Sequence, residues 1–152
     1  MHLAVLITIF FVSLAFFLRG GSLHNYLVCE AGKIFRNAGY ETHQEHPEKL
    51  PDGGLDFIDL LARRGKFVIC IEVELSARYI RSSATKARKL KRPLVVLVPS
   101  RRVQIAVRNK LEKAGISLPK HRIYILLLSQ LEQEVMNYFP LFFAVNKNRE
   151  NK

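Results

Sequence analysis

Leu94-Val95-Val96-Leu97-Val98 is an uninterrupted apolar run between Pro93 and Pro99-Ser100. A segment of strand length with no polar position has no face to offer water, so it reads as a central strand covered on both sides. The flanking sequence supplies the cover. Ser76 to Lys91 reads as a helix with Ile80, Ala84 and Ala87 inward, ended by Pro93. Ser100 is placed to cap a helix with Val103, Val107, Leu111 and Ala114 at core spacing, stopped at Gly115. Arg122 to Leu128 gives another apolar strand, and Ser129 with Glu132 forms a capping box for a last helix ending before Pro140.

Upstream, Leu23, Leu27, Ala31 and Ile34 recur at helical spacing until Gly39, with Glu30 on the same face. Three extended segments follow, Tyr40 to His46, Leu55 to Ala62 and Lys66 to Leu75, separated by Pro51-Asp52-Gly53-Gly54 and Arg63-Arg64-Gly65. Turn residues at those intervals predict an antiparallel meander. The order α-β-β-β-α-β-α-β-α is that of an α/β domain. A chain of 152 residues holds one such domain with appendages: 1–21, the domain over 22–139, and a tail over 140–152.

The first appendage is an apolar helix. Leu3 to Leu18 carries no charge, and with its neighbours it comes near the lower limit of about 17 residues for a span. Without a basic segment before it or a small-residue cleavage site after it, it reads as an uncleaved single-pass anchor. Arg19 and the basic remainder then place the body on the cytoplasmic side of the membrane. The other reading is an apolar helix docked on a cytoplasmic domain. Cys29 and Cys70 lie in apolar segments outside any CxxC pair, which suits buried free thiols in a reduced compartment and excludes zinc.

Lys and Arg number 24 against 13 Asp and Glu, a formal charge of +11, so a polyanionic partner is expected: DNA or an anionic membrane surface. No acid occurs between Leu75 and Leu111, whereas Arg78, Arg81, Lys86, Arg88, Lys89 and Arg92 all fall there. These six are the candidate DNA contacts, because phosphate neutralisation supplies most of non-specific affinity.

The strand before that stretch carries the chemistry. Side chains alternate along a strand, so Phe67, Ile69, Ile71, Val73 and Leu75 share one face and Val68, Cys70, Glu72 and Glu74 the other. Asp56 and Asp59 lie three apart on the preceding strand, hence on opposite faces, and one of them can meet the glutamate pair. Carboxylates held together raise one another's pKa unless a cation lies between them, and hard oxygen ligands favour Mg²⁺ or Mn²⁺.

Over residues 22 to about 115 the sequence resembles the PD-(D/E)XK nuclease superfamily: the helix with Glu30 and its terminal Gly39-Tyr40, the segment PDGGLDFIDL, the strand KFVICIEVEL, and the helix and apolar strand after it. PDGGLD is similar to the Asp-Gly-Gly-Ile-Asp segment of Mrr-type restriction endonucleases, some of which carry N-terminal membrane segments. The Glu-bearing helix followed by Gly-Tyr resembles archaeal Holliday-junction resolvases. The resemblance implies a restriction-endonuclease-like αβββαβ core with a mixed central sheet, Mg²⁺-dependent cleavage of DNA phosphodiesters, Asp56 and Glu72 as metal ligands, and Glu30 as an outer participant. Where the family has Lys two residues after the third-strand acid, this chain has Glu74, and Lys86 or Lys89 on the next helix can supply the cation. The expected site is therefore Asp56, Glu72 and Glu74 around the metal with Lys86 beside them, in a homodimer. Two other readings are a DNA-binding module of the same fold without catalysis, and a protein whose basic face meets a membrane surface.

Overall fold

The computed structural model describes residues 21–137. Helix α1 covers residues 21–37, and it is followed by β1 (Glu41–Lys49), β2 (Leu55–Arg64), β3 (Phe67–Val73), α2 (Ile80–Lys89), β4 (Leu94–Val98), α3 (Arg101–Lys113), β5 (Ile123–Leu127) and α4 (Leu128–Asn137). The strands form one sheet in the order β1-β2-β3-β4-β5. The first three are antiparallel neighbours, and β3, β4 and β5 run parallel. The α/β class and the mixed sheet with flanking helices agree with the expectation from sequence.

Every residue of β4 is buried. Val95 and Leu97 join the core beneath α1 and α4, while Leu94, Val96 and Val98 join the core beneath α2 and α3. Each fully buried Val or Leu contributes about 1.5–3 kcal/mol, so the middle strand anchors both layers. The parallel connections β3-α2-β4 and β4-α3-β5 put their helices on the same face of the sheet, as crossovers of one hand must.

Several local expectations shift. The buried stripe of α1 is Leu27, Val28, Ala31 and Phe35, with Leu23 exposed, so the helix is rotated from the predicted face. The large Phe35 ring packs edge-on against Tyr40 and draws that side inward. Cys29 is consequently exposed, and only Cys70 is buried. Helix α2 begins at Ile80 rather than Ser76, after bends over 75–79. Ser100 accepts the Val103 amide as predicted, but α4 starts before Ser129, and Gln130 Oε1 takes the Leu127 amide at 2.9 Å in place of the expected capping box.

The predicted anchor over 1–21 falls almost wholly outside the described residues. Among the described residues no helix is long and apolar enough to cross a membrane, and α1 carries His24, Glu30, Lys33 and Arg36. The assignment to the cytoplasmic side of a membrane through a single-pass anchor is corrected accordingly.

Candidate functional site

The site forms where β2 and β3 part. Their ladder runs from Arg64↔Phe67 to Leu60↔Ile71, and beyond it the Val73 amide donates to the Asp59 carboxylate, Oδ2 at 2.8 Å. A side chain thus replaces a backbone acceptor, and the strands open around it. The alternation of β2 also slips here: Ile58 packs under α2 and α3, whereas Leu60, two residues on, packs under α1 and α4. Opposite the slip, Glu45 of β1 takes a positive φ of 46°, a conformation uncommon outside glycine.

The slip explains why both aspartates reach the acid pair. Asp56, expected on one face, lies on the α2 side with Ile58. Asp59 turns instead toward α1, the helix on the other face of the sheet. It stands in the gap, bonded to His24 Nε2 of α1 at 3.2 Å, and its charge acts on Glu72.

Lys86 enters from α2. Its Nζ lies 2.7 Å from Glu72 Oε1 and 3.5 Å from Asp56 Oδ1, and it also donates to the Phe57 carbonyl. Three oxygens therefore converge on one ammonium. The side chains of Lys86 and Glu72 are 10% and 8% exposed, against 41% for Asp56, so the pair is enclosed and Asp56 forms its open wall. Glu74 is buried on the same side but accepts a hydrogen bond from Ser83 Oγ at 2.8 Å, so it does not close a cage with Asp56 and Glu72. Among the described residues no three His, Cys, Asp or Glu side chains are grouped to hold a metal ion.

Charge balance is uneven. Burial, then the Asp59 charge, pushes the Glu72 carboxyl up to about 8, against the downward pull of Lys86. Burial also raises Glu74. Burial pushes Asp59 upward as well, but the bonds from His24 and Val73 outweigh it and hold the carboxyl below its ordinary value. Lys86 is lowered by burial and raised more by Glu72, Asp56 and Asp59. The cluster is thus short of positive charge. An all-oxygen donor set around a fixed cation position suits a hard divalent ion, with Asp56, Glu72 and the Phe57 carbonyl as the groups that would hold it once Lys86 swings aside.

A cavity of about 280 Å³ opens beside the cluster, lined by Asp56, Lys86, Arg81, Ser82, Thr85 and Lys89 among others. Of the expected DNA contacts, Arg78, Arg81 and Arg88 are exposed. Lys89 pairs with Asp52 at 2.6 Å, and Arg92 is half-buried with Glu48 at 2.9 Å. Glu30 pairs with Lys33 at 2.6 Å on its own helix and takes no part in the cluster. His24 was not singled out from sequence. It is half-buried, one turn ahead of Val28 in the buried stripe of Leu27, Val28, Ala31 and Phe35.

No protein-family model matches the chain, and no curated protein does. Among solved structures, one similar chain is described as the crystal structure of a protein of unknown function, AF1548. It is 11% identical, with a TM-score of 0.47 over 68% of this chain and 58% of that one. This chain therefore spans less than two thirds of that protein, and a likeness at this level carries no functional weight.

Proposed function

We propose that the chain is a divalent-metal-dependent DNA endonuclease of restriction-endonuclease-like fold, in which the lysine of the site is supplied by α2. The observation that carries this reading is the convergence of Asp56, Glu72 and the Phe57 carbonyl on Lys86 Nζ, next to a cavity with basic walls. A divalent ion held by those oxygens would supply Lewis acidity toward a phosphodiester oxygen and would lower the pKa of a water. The chain's own groups do the rest. Glu72 and Asp56 orient through their carboxylates, Asp59 fixes the opening of the sheet by holding the Val73 amide, and Lys86, released from Glu72, presents its ammonium to a phosphate in the cavity that it lines. Arg81 holds the phosphodiester from the outer side of the same cavity.

The test is nicking of supercoiled and branched DNA by the full chain with Mg²⁺, Mn²⁺ or Ca²⁺. Cleavage with Mg²⁺ or Mn²⁺ that disappears in Glu72→Gln is expected. Failure to cleave with any metal, in a folded protein, sinks the nuclease reading.

A second reading has its own observation. Lys86 already neutralises Glu72, and no cage of three carboxylates stands ready among the described residues. This favours a DNA-binding module that uses the ion pair structurally, and it predicts DNA binding indifferent to Mg²⁺ and no nicking.

A further inference from the structure

A second cavity, of about 210 Å³, lies past the C-terminal end of α2, and its side-chain walls are Arg88, Lys91, Arg92, Lys120, His121 and Arg122, with no acid among its lining residues. At about 30 Å³ per water in the liquid, it has room for about seven waters, enough for a phosphate group with part of its hydration. Three of the six walls are held in place. Arg92 is fixed from behind by Glu48 at 2.9 Å, Arg122 donates to the Lys91 carbonyl at 2.8 Å, and His121 Nδ1 meets the Ser117 carbonyl at 2.8 Å. Arg88, Lys91 and Lys120 make no ion pair among the described residues and stay exposed.

Like charges gathered on one wall repel one another, at a cost that a bound anion offsets. The backbone adds to the cost. Lys91 and Arg122 both take positive φ, 55° and 54°, which is unfavourable for residues with side chains. The α2 carbonyl end contributes about half a negative charge against an anion, less than the three uncommitted cations supply.

The cavity's position selects the anion. Arg88 lines it, and Lys89, the next residue of α2, lines the cavity beside Asp56 and Lys86. A lone phosphate can occupy one of the two cavities, whereas a strand can enter both. We propose that the cavity of Arg88, Lys91 and Lys120 is a second phosphate site, taking another backbone phosphate of the DNA strand whose phosphate lies at Lys86. The inference rests on the DNA reading of the first site.

The test is binding of labelled duplex to the full chain over a salt series in EDTA, so that cleavage plays no part. Lys91→Ala/Lys120→Ala should weaken binding and make the slope of log K against log salt shallower by about 0.9, the value for one phosphate no longer neutralised. Lys33→Ala/Arg36→Ala removes the same charge from α1, on the other face of the sheet, and should leave the slope unchanged. An unchanged slope in the first variant, or an equal fall in both, overturns the proposal. Inorganic phosphate that binds wild type but not Lys91→Ala/Lys120→Ala, with the DNA slope unaltered, makes this a free-anion site and also overturns it. A wild type that never nicks DNA yet shows the expected slope change keeps this cavity and drops the chemistry, and nicking with an unaltered slope does the reverse.

Discussion

Lys86 meets Glu72 from the helix that follows the strand, Nζ to Oε1 at 2.7 Å, so α2 delivers the cation that pairs with the acid of β3. Lys86→Met keeps the stem and removes the charge. Because it leaves the enclosed Glu72 carboxyl and the Phe57 carbonyl without their donor, the metal-free protein should lose about 1–3 kcal/mol of stability. Under the proposed function, cleavage should fall by about two orders of magnitude or more, while Mg²⁺ restores part of the lost Tm. Thermal melts with and without Mg²⁺, beside nicking assays, check both halves. A variant as stable as wild type without metal would show that the ion pair is not what keeps Glu72 in place.

Glu72 should also shape the pH dependence of folding. Its folded carboxyl titrates at about 8, above its ordinary value of 4.5, because of burial and the Asp59 charge. The folded state then holds this proton more tightly than the unfolded state. Its contribution is full below pH 4.5 and is lost as pH rises toward 8. Glu72→Gln should flatten that decline in denaturant midpoints, and a divalent ion should flatten it in wild type. A parallel pH profile in the two proteins would place the titration elsewhere.

The two aspartates should separate by readout. Strand alternation leaves open which aspartate meets the glutamate pair, and only the family resemblance, which implies Asp56 as the ligand, ranks Asp59 as the less consequential residue. The structure gives it the Val73 amide at 2.8 Å and His24 at 3.2 Å. Asp59→Asn should therefore cost stability, about 1–3 kcal/mol for an under-satisfied buried group, and cleavage should fall with it. Asp56→Asn, at an exposed wall, should melt close to wild type and lose cleavage alone. Urea titrations of both variants decide the ranking.

How much was legible follows from the same residues. The apolar run Leu94–Val98, the turn at Gly53-Gly54 and the Ser100 cap fix elements through local rules, and the fold class followed from them. Glu72 and Glu74 were placed on one side of β3 by alternation alone, and both lie there. The departures arise where a side chain overrides the backbone pattern. Asp59 replaces a ladder acceptor, the alternation of β2 slips beside Glu45, and Ser83 takes Glu74. No periodicity encodes such substitutions, and the partner helix residues His24 and Ser83 become visible only once three elements meet.

His24 should stabilise the fold through Asp59. The Asp59 hydrogen bond raises the imidazole pKa above 6.5, and burial opposes it. A raised folded value means that the stabilisation is fully present below pH 6.5 and fades as pH rises through the folded pKa. His24→Ala should lower Tm more at about pH 6 than at about pH 9, which lie on either side of the usual imidazole range. An equal loss at both values would assign His24 to packing alone.

DNA affinity should track exposure rather than mere basicity. Lys89 and Arg92 are paired with Asp52 and Glu48, so a phosphate has to compete with a carboxylate for each. Arg81 and Arg88 are exposed and make no such pair among the described residues. Arg81→Ala/Arg88→Ala should weaken duplex binding similarly for all sequences and make the salt slope shallower, because each arginine lost reduces phosphate neutralisation and the counterions released with it. Lys89→Ala should change the slope less, since freeing Asp52 adds a negative charge while removing a committed positive one. Anisotropy titrations over a salt series compare the two directly, and a larger slope change from Lys89→Ala would mean that the strand displaces Asp52 on binding and runs on the Lys89 side of α2.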